Sequence, residues 1–196
     1  MFDYIRGQVA QLTPTFVTVE AGGIGYYLHI TINTYSAIQS QEKQENIKLW
    51  AHSVIREDAH LLYGFFDEPE RQLFRQLITV SGIGANTARM MLSSMTPVEL
   101  TSVIAHGDAE TLKGIKGIGL KTAQRIIVEL KDKIGSSPAQ RELFAPSNNT
   151  VRDEALSALV MLGFPRKSVE MVVNSELKKH GEASVEEIIK IALKQL

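Results

Sequence analysis

Along the first 66 residues apolar positions come in short runs that alternate with polar ones, and from there to the end they recur at a helical interval. The early runs are YIRGQVAQL, FVTVEA, GYYLHITI, NIKLWAHSVI and HLLYGFF, rich in β-branched and aromatic residues. Turn signals at Thr13-Pro14, Gly22-Gly23 and Arg56-Glu57-Asp58 punctuate them, which predicts five strands. After Glu68 the period changes: Leu73, Phe74, Leu77 and Ile78, then Ala88, Met91 and Leu92, line repeating helical faces. Thr96-Pro97 with Glu99 predicts a capped helix start, with the threonine as N-cap and the glutamate closing a capping box. A short helix is expected from Asp108 and a longer one from about Leu120 to Lys133, giving a block of five.

Residues 135–150, GSSPAQRELFAPSNNT, have the composition of a solvated linker. Beyond them, three short amphipathic helices are expected at roughly 151–162, 165–178 and 184–195, broken at Gly163-Phe164-Pro165 and Gly181-Glu182-Ala183. The fold class is therefore multi-domain α+β. Residues 1–66 form a five-stranded barrel, of which the OB-fold is the type most used on nucleic acids. Residues 67–134 form a helical domain, and residues 151–196 a three-helix module too small to be more than marginally stable alone.

Two segments of the helical block read almost alike, SGIGANTARMML at 81–92 and KGIGLKTAQRII at 116–127. Each places a Gly-Ile-Gly turn between the end of one helix and the start of the next. The first glycine can adopt positive φ, the isoleucine plugs between helices, and the second glycine lets a ligand approach the backbone. Unpaired N–H groups and the positive end of the helix dipole then favour an anion such as phosphate. The pattern hxxhxGhGxxxAxxhh is that of the helix-hairpin-helix motif, which grips DNA without reading sequence. A turn that merely packs is the bland alternative for one copy; two equivalent copies favour a grip on a polyphosphate backbone. The candidate phosphate contacts are Gly82, Ile83, Gly84, Asn86 and Arg89 in the first copy. In the second they are Lys116, Gly117, Ile118, Gly119, Lys121, Thr122 and Arg125. Gly114 to Thr122 nearly spells a nucleotide-binding loop, but Leu120 separates the last glycine from the lysine and a helix rather than a strand precedes it.

Charge sharpens this picture only locally. The net charge is -1, yet Lys113, Lys116, Lys121, Arg125, Lys131 and Lys133 gather around the second turn against Glu110, Glu129 and Asp132. With no cysteine and five scattered histidines, neither a thiolate metal site nor a metal cofactor is expected. No run of 18 apolar residues appears and MFDYIRGQ lacks the pattern of a signal peptide, so a cytoplasmic location without membrane contact is expected. One acidic pair stands apart, Glu57-Asp58, in the turn between the fourth and fifth strands. For an arbitrary protein it would be a solvated hairpin tip.

With VIREDAHLLYGF, the turns SGIGANTA and KGIGLKTAQRIIVELKDK, and the tail ALSALVMLGF, the chain resembles the RuvA family of Holliday junction branch migration proteins over essentially its whole length. The resemblance implies a non-catalytic subunit, a homotetramer that holds a four-way DNA junction open and square, with a second tetramer able to close on the other face. It implies that Glu57 and Asp58 form an acidic pin at the crossover. It also implies a UBA-like C-terminal module that recruits the hexameric ATPase RuvB, with Leu159, Met161, Leu162 and Phe164 as candidate contacts, and the RuvC resolvase in a larger complex. The family commonly carries a lysine just after the first turn, where this chain has Ala85-Asn86. Two other classes stay open on the residues alone. A helix-hairpin-helix glycosylase or nuclease would use Glu57-Asp58 or Asp132, but needs an aromatic base pocket, and only Phe74 lies within residues 67–133. A protein-interaction adaptor would have no nucleic-acid role.

Overall fold

The computed structural model describes residues 2–43, 45–134, 148–179 and 183–195. These fall into two compact units, residues 1–137 and 138–196. Of the linker expected at 135–150, residues 135–147 lie outside the described residues.

Strands β1 (Tyr4–Leu12), β2 (Phe16–Ala21), β3 (Ile24–His29), β4 (Ile47–Ile55) and β5 (His60–Phe65) close a barrel in the order β1-β2-β3-β5-β4. This is the OB-fold. Ladders are antiparallel except where β3 meets β5, parallel at His29 and Tyr63. Pleating sends Ile5, Val17, Val19, Leu28 and Leu49 inward, each at most 5% exposed. Burying each such side chain stabilises the fold by about 1.5–3 kcal/mol.

The third strand is shorter than its sequence predicts. GYYLHITI reads as strand through Ile32, but the chain leaves the sheet after His29 and forms helix α1 (Ile32–Gln39). Two interactions override the β-branched composition. The Thr31 hydroxyl caps α1 by accepting from the Thr34 amide (3.0 Å), and the hydroxyls of Thr31 and Thr34 both donate to buried Glu70, at 2.5 and 2.7 Å. The Thr34 hydroxyl also accepts from the Phe66 amide. Each hydroxyl proton is thereby left with one place to go, and both carboxylate oxygens receive one.

Five helices follow in the same unit: α2 (Glu68–Leu77), α3 (Ala85–Ser94), α4 (Pro97–His106), α5 (Ala109–Lys113) and α6 (Leu120–Ile134). The capping box at Thr96 is formed, with the Thr96 amide donating to Glu99 at 2.8 Å and the Glu99 amide to the Thr96 hydroxyl at 3.3 Å. Tyr63 and Phe65 of β5 join the helical core, while the barrel interior around Leu28 and Leu49 forms a core cluster of its own. Phe74 of α2 packs against Tyr63 and Phe65 of β5, with ring centroids 5.1 and 4.9 Å apart. At the seam, buried Arg71 donates to the Asp3 carbonyl and carboxylate and to Glu68, and its guanidinium stacks 4.5 Å from the Trp50 ring.

The second unit holds α7 (Asn148–Met161), α8 (Arg166–Lys179) and α9 (Val185–Ala192) around Ala155, Leu156, Leu159, Val169, Val173, Ile188 and Ala192. Gly163, at φ 99°, ends α7, and Ser184 with Glu187 caps α9. One of the four candidate contacts in this unit, Leu159, is corrected. Leu159 is wholly buried and Phe164 packs against the core, whereas Met161 and Leu162 are 88% and 61% exposed. The helical stripe includes Leu159 because it builds the bundle, whereas Met161, the last residue of α7, and Leu162 just after it face out.

Candidate nucleic-acid interface

The two glycine turns match bond for bond. In the first, the Val80 amide donates to Leu77, Ile83 to Val80 and Ala88 to Gly84. In the second, Ile115 donates to Leu112, Ile118 to Ile115 and Ala123 to Gly119, with every distance between 2.9 and 3.1 Å. Gly82 and Gly117 hold φ of 91° and 89°, a region that side chains disfavour. Ile83 and Ile118 are each 5% exposed and plug the hairpins as expected. Their amides are committed to internal carbonyls, which corrects the expectation that they contact phosphate. They shape the cradle and do not line it.

What remains open is the outer rim. Gly82, Gly84, Gly117 and Gly119 are all exposed. Among the described residues no carbonyl or side chain accepts from their amides. Gly84, at φ -86° and ψ 167°, is the N-cap of α3, a conformation open to any residue. Gly119 precedes α6 and is likewise not at positive φ. A Cβ built on either would meet nothing within 4 Å. The fold itself places no steric demand for glycine at these two positions.

The side chains divide the copies. Around the second turn Lys116 and Lys121 are exposed with no hydrogen bond or ion pair among the described residues, while Lys113 pairs with Glu110 at 3.1 Å. Thr122 is half-buried. Arg125 reaches across and donates to the Ser81 carbonyl of the first turn at 3.0 Å. In the first copy the expected side-chain ligands turn the other way. Asn86 accepts from the Tyr63 hydroxyl at 3.3 Å, and Arg89 donates to the Thr15 carbonyl at 3.1 Å beside the His29 ring nitrogen at 3.4 Å. Burial, and next the nearby Arg89 charge, lower the His29 pKa and keep the ring neutral, fit to accept from arginine. Burial raises the Tyr63 phenol, which stays protonated and donates. Asn86 and Arg89 thus tie the hairpin to the barrel.

Glu57 and Asp58 stand at the tip of the β4–β5 hairpin, closed by the Arg56 amide donating to Ala59 at 2.8 Å. Both are exposed, as is Ile55 at 72%. The strand returning from this tip starts at His60 and carries Tyr63 about 10 Å further on, where it meets Asn86. The side chain of Asp132, considered above as a catalytic carboxylate, lies outside what is described. Sequence reasoning missed the seam residues Glu70 and Arg71 and the inter-hairpin bond of Arg125. Glu70 was findable, since it continues the buried stripe of Leu73, Phe74 and Leu77 one turn earlier.

Comparison with known proteins finds matching families along the chain. The family model described as RuvA N terminal domain matches residues 1–64, the SAM-like helix-hairpin-helix tandem matches 74–132, and the RuvA C-terminal domain matches 150–196. Relatives named Holliday junction branch migration complex subunit RuvA align over the full length of both chains. The one from Christiangramia forsetii is 46% identical, that from Bacteroides thetaiotaomicron 48%, and that from Flavobacterium psychrophilum 44%. The chain belongs to the RuvA family. Within a RuvA chain, the tandem hairpins are the part the family model isolates between the N-terminal barrel and the C-terminal bundle. Among the described residues no helix is long and apolar enough to cross a membrane.

Proposed function

We propose that this chain is the non-catalytic, junction-binding subunit of a branch migration complex. Its two glycine turns hold the phosphates of four-way junction DNA. One observation carries the reading: Gly84 and Gly119 face open space in a conformation that needs no glycine, beside amides without partners. Bare backbone at a helix start leaves room for a phosphate to sit flush on the N–H groups. Lys116 and Lys121 add charge at the second cradle, and the first relies on amides. In a homotetramer, Glu57 and Asp58 from each protomer meet at the crossover and repel phosphates there, favouring separated strands over duplex. Met161 and Leu162, the exposed end of α7, engage the hexameric RuvB motor.

The test is gel-shift titration of the purified chain with four-way junction, duplex and single-stranded DNA at several salt concentrations. Tight, junction-selective binding that weakens with salt is expected, each neutralised phosphate adding about -0.9 to the slope of log affinity against log salt. Equal, weak binding to all three DNAs refutes the reading, as does cleavage or base release by the chain alone with Mg²⁺.

A further inference from the structure

We infer that Arg125, although it belongs to the helix of the second hairpin, is a positioning residue for the first cradle. This rests on the phosphate-binding role proposed above. Arg125 Nη1 donates to the Ser81 carbonyl at 3.0 Å. That carbonyl and the Gly82 N–H belong to one peptide group, which is planar and trans, so anchoring the oxygen to Arg125 points the N–H the opposite way. Drawing on the oxygen also polarises the group and makes the N–H a better donor. A guanidinium therefore both aims and strengthens the Gly82 amide without touching the ligand.

The crossing is reciprocal, which marks it as a property of the paired architecture. Met90 and Arg125 hold equivalent places, each eight residues beyond the first glycine of its own turn. Met90 Cε lies 3.7 Å from where a Cβ on Gly117 would stand. Each helix thus reaches the other hairpin's turn, but one contact is apolar and the other is a charge-assisted hydrogen bond with a fixed direction. The asymmetry falls where it is needed. The first turn has no lysine, and its Asn86 and Arg89 are occupied at the barrel. The positive charge it lacks reaches it from the second hairpin, relayed through a backbone amide.

A double-mutant cycle tests this on the full-length chain, using a synthetic four-way junction at fixed salt. The variants are Arg125→Met, which gives α6 the residue α3 already carries, Gly84→Ala and Gly119→Ala, with both double combinations and a thermal melt of each. Arg125→Met should weaken junction binding about tenfold, the worth of one charge-assisted hydrogen bond. Combined with Gly84→Ala it should add less than about twofold, because that cradle is already lost; combined with Gly119→Ala the losses should multiply. The inference is overturned if Arg125→Met binds like the parent chain. It is also overturned if its loss multiplies with that of Gly84→Ala, or if it couples to Gly119→Ala, as a direct phosphate contact at the second turn would. Should Gly84→Ala and Gly119→Ala both bind normally, the phosphate cradles themselves fall and this role with them.

Discussion

Replacing Gly84 and Gly119 together by alanine should leave the protein folded and remove most of its hold on DNA. The new methyl groups meet no atom within 4 Å, and Gly84 holds φ -86° and ψ 167°, which alanine adopts freely. The poorer N-cap preference of alanine and its lower unfolded-state entropy oppose one another, so the net change per site stays within about 1 kcal/mol. On the ligand side, a methyl group extends the surface by about 1.5 Å, enough to break hydrogen bonds that need 2.7–3.2 Å between heavy atoms. Each cradle lost, worth at least one charge-assisted bond of about 1.5 kcal/mol, weakens binding roughly tenfold or more per site and about a hundredfold or more for the pair. Gly82→Ala with Gly117→Ala is the contrasting control. Their φ values of 91° and 89° cost alanine about 1–2 kcal/mol each, a fall in Tm of roughly 4–16 °C in all. Fluorescence anisotropy with a labelled four-way junction, beside thermal melts, separates the two pairs. Junction affinity within twofold of the parent in the Gly84/Gly119 variant would refute the reasoning, since glycine would then be unexplained by fold and by ligand alike.

Glu57→Gln with Asp58→Asn should not change Tm, because both side chains are exposed, but should tighten duplex binding and narrow the preference for junction over duplex; an unchanged ratio in parallel titrations removes the pin from the mechanism. Glu70 gives a pH-dependent signature. Burial raises its carboxyl pKa despite the donated hydroxyls of Thr31 and Thr34. A folded-state pKa above the unfolded one contributes stability that is full below the unfolded value and lost as pH climbs through the folded value. Relative to Glu70→Gln, the parent should therefore lose stability in urea titrations as pH rises above the ordinary carboxylate range, and a gain in that direction contradicts the assignment. In the C-terminal unit Leu159→Ala should cost about 2–4 kcal/mol by opening the core, whereas Met161→Ser with Leu162→Ser should cost little and abolish stimulation of the RuvB ATPase. Normal stimulation by the double serine variant would place the motor contact elsewhere.

Much of the fold is legible from periodicity because its cores are built from residues that also set the pattern. Val17, Val19 and Leu28 alternate as a barrel wall must, and Leu73, Phe74 and Leu77 mark the buried stripe of α2. Helix α1 escapes such reading. Thr31, Ile32 and Thr34 have strand composition, and what makes them helical is Glu70, a residue 39 positions from Thr31. The same limit applies at the site. The duplicated turn and its positive-φ glycines are written locally, since only neighbours within a few residues decide them. Whether Asn86 and Arg89 face a ligand or the barrel is decided by Tyr63, Thr15 and His29, and that Arg125 serves the neighbouring turn depends on two hairpins meeting in space. Leu159 and Met161 share a helix and an apolar character, and only the position of the bundle distinguishes them.

The ring of Phe74 wedged against Tyr63 and Phe65 has a mechanical consequence. It leaves little play between the strand pair bearing the acid tip and the helices bearing the cradles. In the proposed junction-binding role such a part would work as a fixed gauge: a substrate would be accepted when its charges fall at the gauge's own spacing, and strain arising at the tip would be passed on to the cradles with little absorbed between them.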